Sequence, residues 1–310
     1  MEKLTIFEIP ALYRDDFRIT GYRFGKGEKS VVIVGSLRGN EYQQIYMCSM
    51  LVKRLKEYEQ QGKLDETKEI LVIPSLNPYS MNIGKRFWPT DNTDINRMFP
   101  GYALGETTQR IAAGVFEQVS EYQVGIQFAS FYMPGIYIPH VHIMDTGFEN
   151  AELGKRFGLP FVILRSPRPY DTTTLNYNWQ IWEAEAYSLY SATTDSLDDG
   201  TGYQVVESVF RFLEAAGILK DASISEGEDS VLLTDANMRS LRTKKAGIFR
   251  PFVTVGSYVE KGQPVAMILD SYEGEMIETI TAPEEGCVFF MHGSPMTYAN
   301  TAVCKLIVKQ

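Results

Sequence analysis

The sequence predicts an α/β fold, with a mixed, largely parallel sheet flanked by helices and an all-β module after it. The first part follows from the apolar run at 31–34 (VVIV), the long amphipathic helix behind it and the next buried strand at 69–74 (EILVIP). A strand, a helix and a strand joined by short connections form a right-handed parallel crossover. The second part follows from a change, after residue 229, to short strands separated by Gly and Pro turns.

The bulk composition indicates a globular protein of about two domains. The 310 residues are 44% hydrophobic and 22% charged, which is enough to bury a substantial core, and a domain usually takes ~150 residues. Acidic residues outnumber basic ones by 39 to 30, for a formal net charge of −9. This charge argues against nucleic acid or an anionic membrane as the main partner, because both need a basic surface. It still allows an anionic small ligand, which needs only a few local arginines.

The cysteines and the N-terminal residues lead us to expect a cytoplasmic protein. Cys48, Cys287 and Cys304 are scattered and lack CxxC spacing, so free thiols in a reducing compartment are expected rather than disulfides or a thiolate zinc site. The segment MEKLTIFEIP contains no apolar signal core. No apolar run approaches the ~18 residues of a membrane span.

Hydrophobic periodicity predicts the other elements of the first part. A helix at 41–61 begins after Asn40, a residue type that favours helix N-caps. Further helices are predicted at 106–120, 149–157 and 204–216. Strands are predicted at 4–9, 17–24, 124–128, 135–144, 161–164 and 187–193. The density of Asn, Pro, Gly, Asp and Thr predicts an irregular loop at 75–105.

A domain boundary is predicted at the polar, acidic segment 221–229 (DASISEGED), which has no apolar periodicity. The first domain is then 1–222 and the second 230–310. Residues 247–268 and 282–286 resemble the hammerhead strands of biotinyl- and lipoyl-type β-barrels, so the second domain is expected to be barrel-like. Its predicted hairpin tip at 271–275 (SYEGE) has no lysine, and we therefore expect a structural or access-limiting module rather than a cofactor carrier.

The turn at 35–41 (GSLRGNE) lies at the carboxyl end of the buried strand, where open α/β sheets place their ligands. It resembles the GxxHGNE turn of the succinylglutamate desuccinylase/aspartoacylase family, relatives of the zinc carboxypeptidases. The loop at 77–101 resembles the same family's NPxA…R…DxNRxFPG stretch. The resemblance implies a zinc-carboxypeptidase-like fold and zinc-dependent hydrolysis of the amide bond of N-acyl amino acids.

The resemblance also shows where this chain departs from the family's zinc site. The family's His, Glu and second His ligands correspond here to Arg38, Glu41 and Gln127. A guanidinium is permanently cationic and cannot bind a metal, and an amide oxygen is a poor zinc ligand. Zinc is the family cofactor, but we expect none here. We predict instead that Arg38 occupies the metal position and pairs with Glu41, the alternative being an arginine turned into solvent.

The family's general-base Glu also has no counterpart, since its position on a late strand corresponds to Tyr190. A phenol with an ordinary pKa of about 10 is a poor base near neutral pH, and a strand tyrosine packed against the core is the plainer interpretation. Asp195 is the nearest downstream carboxylate. The two histidines His140 and His142 would share one face of a strand, because they are two residues apart.

The loop retains the residues that, by the same resemblance, grip the substrate's carboxylate: Arg86, Asn96 and Arg97. Arginine suits this task because its planar fork pairs bidentately with a carboxylate. Asp94 is expected to fix the loop by accepting hydrogen bonds from backbone or arginine donors. The alternative is that these residues only stabilise a long loop.

Three functional hypotheses remain open from the sequence. The first is a non-catalytic or altered binder of an acidic small molecule, such as an acylated amino acid or a short peptide, with Arg38, Arg86 and Arg97 in a cationic pocket. The second is an active amide or ester hydrolase with a rebuilt metal site, for example Glu41 with His140. The third is a scaffold subunit whose β-module mediates assembly, and a homo-oligomer is compatible with each.

Overall fold

The computed structural model describes residues 1–12 and 15–309. The chain divides into two compact units, which are Met1–Ser130 with Pro139–Leu232, and Phe131–Ile138 with Leu233–Gln310. The sequence placed a single boundary at 222–230 and assigned 131–138 to the first domain. The structure instead gives this segment to the second unit, because its strand pairs there.

The strands, in chain order, are β1 Glu2–Ile9, β2 Phe17–Gly25, β3 Glu28–Ser36, β4 Lys68–Ser75, β5 Val124–Ala129, β6 Gly135–Tyr137, β7 His140–Met144, β8 Phe161–Arg165, β9 Glu185–Tyr190, β10 Val231–Thr234, β11 Met238–Arg242, β12 Gly247–Pro251, β13 Tyr258–Val259, β14 Pro264–Leu269, β15 Met276–Thr281, β16 Gly286–His292, β17 Met296–Thr297 and β18 Ala302–Ile307. The α-helices are α1 Tyr42–Gln60, α2 Pro78–Asn82, α3 Thr107–Val119, α4 Ala151–Gly154, α5 Leu175–Ile181 and α6 Asp199–Ala215. Short 3₁₀ segments cover Ile95–Arg97, Lys155–Phe157, Pro169–Asp171 and Asp235–Asn237.

The first unit is built on a mixed sheet with the strand order β1-β2-β4-β3-β5-β9-β7-β8-β10. Strands β4, β3, β5 and β9 run parallel in the middle, whereas β1, β2 and β7 each join an antiparallel pair. The predicted crossover from β3 through α1 to β4 is confirmed as a parallel pair. The α/β fold class with its largely parallel sheet is therefore confirmed.

Packing against a core on each face explains the continuous apolar run of residues 31–34 within β3. Val31 and Ile33 belong to a core that includes buried residues of α1 and α6. Val32 and Val34 belong to the opposite core, which includes buried residues of α3 and α5. A central parallel strand covered by helices on both sides needs such a continuous apolar run. The turn that follows β3 is thereby held between two packed layers.

Several predicted boundaries shift in the structure. The helix α1 has Glu41 rather than Asn40 at its N-cap position. The segment predicted as one strand at 135–144 is two, β6 and β7, and the predicted helix at 149–157 is a short α-helix followed by a 3₁₀ turn. The late strand predicted at 187–193 is β9, which ends at Tyr190. The helix α5 was not predicted; it begins where the Thr174 side chain accepts a hydrogen bond from the Tyr177 backbone N–H.

The second unit is all-β, as the sequence predicts. Within residues 131–138 and 233–309, one antiparallel sheet has the order β11-β18-β16-β13 with β6 paired to β16, and a second has the order β15-β14-β12-β17. Apolar residues of β14, β16 and β18 meet in its core. The β14–β15 turn contains Asp270 and Glu275 but no lysine. In the described part of the chain, no helix is long and apolar enough to cross a membrane.

One glycine in the central sheet is required by close packing. A Cβ built on Gly125 of β5 would lie 2.4 Å from the indole of Trp179 in α5. The indole is fully buried, and its Nε1–H donates to the Val119 carbonyl at 3.2 Å. The tryptophan therefore occupies the space above β5 that a side chain at 125 would need.

We expect Gly125→Ala to lower the free energy of unfolding by about 1–3 kcal/mol, because the added methyl must displace a buried ring. Equilibrium unfolding in urea measures the change. Gly200→Ala in α6 is the matched control, since its Cβ would meet only the Asp198 Oδ1 atom at 3.5 Å. Equal losses in the two variants would contradict the packing argument.

Candidate functional site

The site is organised by Arg38, which lies in the turn between β3 and α1. Its side chain is only 8% exposed, and its Nη1 lies 2.9 Å from the Glu41 Oε1 atom. Its Nε and Nη2 both donate to Asp94 Oδ2, at 3.1 Å and 2.8 Å. One buried guanidinium thus bridges two carboxylates from different segments of the chain. The predicted pairing of Arg38 with Glu41 is present, and the alternative of a solvent-facing arginine is wrong.

Both oxygens of Glu41 are used within the turn. Oε2 accepts the backbone N–H groups of Leu37 at 2.7 Å and Arg38 at 3.0 Å. Oε1 accepts the guanidinium of Arg38 and the hydroxyl of Ser130, the residue just after β5. The Glu41 carboxylate is 1% exposed. Its hydrogen bonds stabilise the turn, and each of its two oxygens already accepts at least one of them.

Asp94 ties the long loop to the turn, as the sequence predicts. While Oδ2 binds Arg38, Oδ1 accepts the backbone N–H of Asn96 at 3.0 Å. Burial alone would lower the pKa of the Arg38 guanidinium, but Glu41 and Asp94 more than offset burial, and the pKa lies above its usual value. The guanidinium is therefore a fixed positive charge at every accessible pH.

A zinc ion does not fit this arrangement of side chains. The guanidinium at position 38 repels a cation, and both Glu41 oxygens already accept hydrogen bonds. Gln127 is buried on β5, between Val34 of β3 and Ser188 of β9. Among residues 1–12 and 15–309, no group of three or more His, Cys, Asp or Glu side chains is placed to hold a metal ion. That finding gives no support to a rebuilt site of Glu41 with His140.

The three predicted carboxylate-binding residues lie in different surroundings. Arg86 Nη1 donates to the Asn40 side-chain oxygen at 3.0 Å, and its carbonyl accepts the Gly39 N–H, so it borders the Arg38 turn. The Asn96 side-chain oxygen accepts the Leu175 N–H at 3.2 Å and so helps to hold the start of α5.

Arg97 is partly accessible, with a side chain 35% exposed. Its guanidinium lies 5.4 Å from the centre of the Tyr170 ring and donates to the Tyr170 carbonyl. The same group is 3.7 Å from Asp171 Oδ1. Asp171 also binds Arg165, and no family motif drew attention to either residue.

Tyr190, which the resemblance places at the family's general-base position, ends β9 beside the two histidines. Its ring stacks on His140 at 4.8 Å and meets His142 edge-on at 6.1 Å, so the histidines share a face as predicted. Burial raises the pKa of the Tyr190 phenol, and Arg165 and Arg38 act against that rise. The phenol is thus neutral near pH 7. Asp195, the other suggested base, is exposed and lines a surface cavity with residues of α1.

Comparison with known proteins agrees with this fold. Residues 27–182 match the family described as the succinylglutamate desuccinylase/aspartoacylase catalytic domain. The chain belongs to this family. It is 23% identical over 265 residues to the N-alpha-acetyl-L-2,4-diaminobutyric acid deacetylase of Halomonas elongata, a match that covers 81% of this chain and 73% of the relative.

Solved structures of family members share the fold over nearly the whole chain. A succinylglutamate desuccinylase from Silicibacter sp. TM1040 superposes with a TM-score of 0.84 at 17% identity, covering 99% of this chain and 94% of the other. The product-bound ectoine utilization protein EutE from Ruegeria pomeroyi gives a TM-score of 0.78 at 19% identity, covering 97% and 93%. At these identities the similarity shows the fold.

We expect Arg38→Met to lower the free energy of unfolding by about 3–5 kcal/mol, because it leaves Glu41 of the turn and Asp94 of the loop without their counter-charge. Chemical denaturation followed by circular dichroism measures it. The matched control is Arg18→Met, since Arg18 also pairs with two carboxylates, Glu8 and Asp16, but is 56% exposed. The control should lose far less stability, because solvent screens exposed ion pairs. Similar losses would show that the Arg38 pairs are no stronger than surface pairs.

Proposed function

We propose that this protein binds an acidic small molecule, an N-acylated amino acid or a short peptide, without the zinc chemistry that its family motif implies. The observation that carries the proposal is the ion pair of the buried Arg38 guanidinium with Glu41; by the resemblance, Arg38 stands where the family has a zinc-binding His. A fixed side-chain charge replaces the metal charge there. The fold and the loop around the site are kept, and the site retains cationic groups for a ligand.

The catalytic groups of a zinc hydrolase have no equivalents in this arrangement. Such an enzyme needs three ligands, an open coordination position for water and a carboxylate base. Arg38 and Gln127 replace two ligands by groups that do not hold zinc. The neutral Tyr190 phenol is a weak base, since a general base works best with a pKa near the working pH. Binding, rather than hydrolysis, is what these residues can support.

The ligand's carboxylate is best placed at Arg97. Arg38 uses Nε, Nη1 and Nη2 for Glu41, Asp94 and Ser130, so its role is to hold the turn and the loop together. Arg97 is partly exposed, and its guanidinium keeps donors beyond those used for Tyr170 and Asp171. Arg86, beside Asn40, adds positive charge at the edge of the turn.

The ligand class follows from the family and its named members. The Halomonas elongata relative is named as a deacetylase of an N-acetylated diamino acid. Other members are named for succinylglutamate. Both names describe an acylated amino acid with a free carboxylate, and a guanidinium fork recognises that group well.

We expect the protein to bind N-succinyl-L-glutamate in the presence of a chelator, measured by isothermal titration calorimetry. Arg97→Gln should weaken binding by about 10- to 100-fold, because a charge-assisted hydrogen bond contributes roughly 1.5–3 kcal/mol. Arg110→Gln, an exposed arginine of α3, is the matched control and should bind as the unaltered protein does. Binding that needs added zinc, or cleavage of the ligand, would contradict the proposal.

A further inference from the structure

We propose that His292 makes the junction between β6 and β16 an acid-sensitive clasp, which opens when the imidazole takes up a proton. The junction joins residues 131–138 to the rest of the all-β unit, and these residues directly follow Ser130, whose hydroxyl binds Glu41. This inference goes beyond the proposed function and does not depend on the identity of the ligand. It depends on the burial of His292, on its unpaired ring nitrogens and on its place in the sheet.

His292 ends β16, opposite Gly135 of β6, and its ring lies between the two sheets of the second unit. The residue is 7% exposed, and its ring meets the buried Phe249 ring of β12 edge-on, with the ring centres 5.7 Å apart. Both ring nitrogens are buried, and neither has a hydrogen-bond partner in the part of the unit that the structure describes. A neutral imidazole with an unpaired donor and acceptor is costly to bury, and a charged one would cost more. The folded unit therefore holds this side chain neutral.

The surroundings of His292 offer nothing that would stabilise a positive charge on it. Burial lowers the pKa of His292 below its ordinary value of about 6.5, and burial is the one cause of the shift. Titratable or charged groups on its own strand and on the strands of the two sheets around it are Cys287 of β16, Tyr137 of β6, Arg250 of β12, Tyr258 of β13, and Cys304 and Lys305 of β18, and β17 has none. These strands contain no Asp or Glu, so no carboxylate on them compensates a proton on the imidazole.

The lowered pKa of His292 gives the clasp its direction. A proton binds the imidazole more tightly when the junction is open, because the exposed ring has its ordinary pKa. The stability of the closed junction is therefore complete above about pH 6.5 and is lost as the pH falls. The ratio of open to closed junctions rises by up to about tenfold for each pH unit below that value, until the pKa of the closed form is reached. The proton reaches the ring in the open form, so burial in the closed form does not prevent the switch.

The strand β6 is the element that opens first. It is three residues long, and among the described strands it pairs only with β16. Two backbone hydrogen bonds flank the pair: the Ile138 N–H donates to the Phe289 carbonyl at 3.1 Å, and the Gly293 N–H donates to the Pro134 carbonyl at 3.1 Å. Short segments with few backbone hydrogen bonds open at a small cost in free energy. Protonation of His292 therefore releases β6 before it unfolds the rest of the unit.

Amide hydrogen exchange of the whole protein, measured by NMR and corrected for the intrinsic rate at each pH, tests the clasp. Between pH 7.5 and pH 5.5 the protection of the Ile138 and Gly293 amides should fall by about five- to tenfold. Carboxylates with an ordinary pKa of about 4 stay ionised over this range. The internal reference is the Ala282 amide, which donates to the Gln263 carbonyl at 2.9 Å in the same unit and should change by less than about twofold.

Variants identify the titrating group. His292→Leu and His292→Gln should both keep the protection of the Ile138 and Gly293 amides constant within about twofold, because neither side chain titrates. His142→Leu, which removes a histidine of the first unit, is the matched control and should retain the fall. A fall that persists in a folded His292 variant, or constant protection in the unaltered protein, overturns the inference. A fall of equal size at Ala282 overturns it too, because acid would then loosen the whole unit.

Discussion

The site depends on one buried ion cluster, in which Arg38 joins Glu41 and Asp94. These contacts connect the turn after β3, the first residue before α1 and the long loop that precedes α3. A carboxylate as buried as Glu41 must have a partner, since an unpaired charge in such a place costs several kcal/mol. In the family's motif that partner is a metal ion, and in this chain it is a guanidinium. The guanidinium supplies one positive charge to the two carboxylates, and it has no lone pair with which to coordinate a metal.

The residues of β5 that lie below this cluster are closely packed. Gly125 of β5 has no side chain, and the buried indole of Trp179 fills the space that a side chain there would need. Gln127, two residues along β5, has Ser188 of β9 as its neighbour across the pair. The face of β5 below the site is therefore packed against the Trp179 ring.

The sequence was sufficient to predict the features that local patterns determine. The apolar run of β3, the turn behind it and the three-residue spacing of Arg38 and Glu41 were enough to predict their ion pair and the α/β fold. The sequence could not predict the hydrogen-bond and ion-pair partners that distant segments of the chain supply. Ser130 reaches Glu41 from the end of β5, and Asp171 joins Arg97 to Arg165 from the loop before α5. The helix α5 was not predicted because it is short and has few apolar positions. The division of 135–144 into two strands depends on the pairing of β6 with β16.

The central claim is that a guanidinium has replaced the zinc ion of this family, and zinc stoichiometry tests it most directly. Elemental analysis would be made on protein purified without chelator or histidine tag, before and after soaking in zinc. The account predicts zinc at background in both samples, because the Arg38 guanidinium binds Oε1 of Glu41 and the backbone N–H groups of Leu37 and Arg38 bind its Oε2. One zinc ion per chain would contradict it, since a ligand set that includes neither Arg38 nor Gln127 would then have to hold the ion.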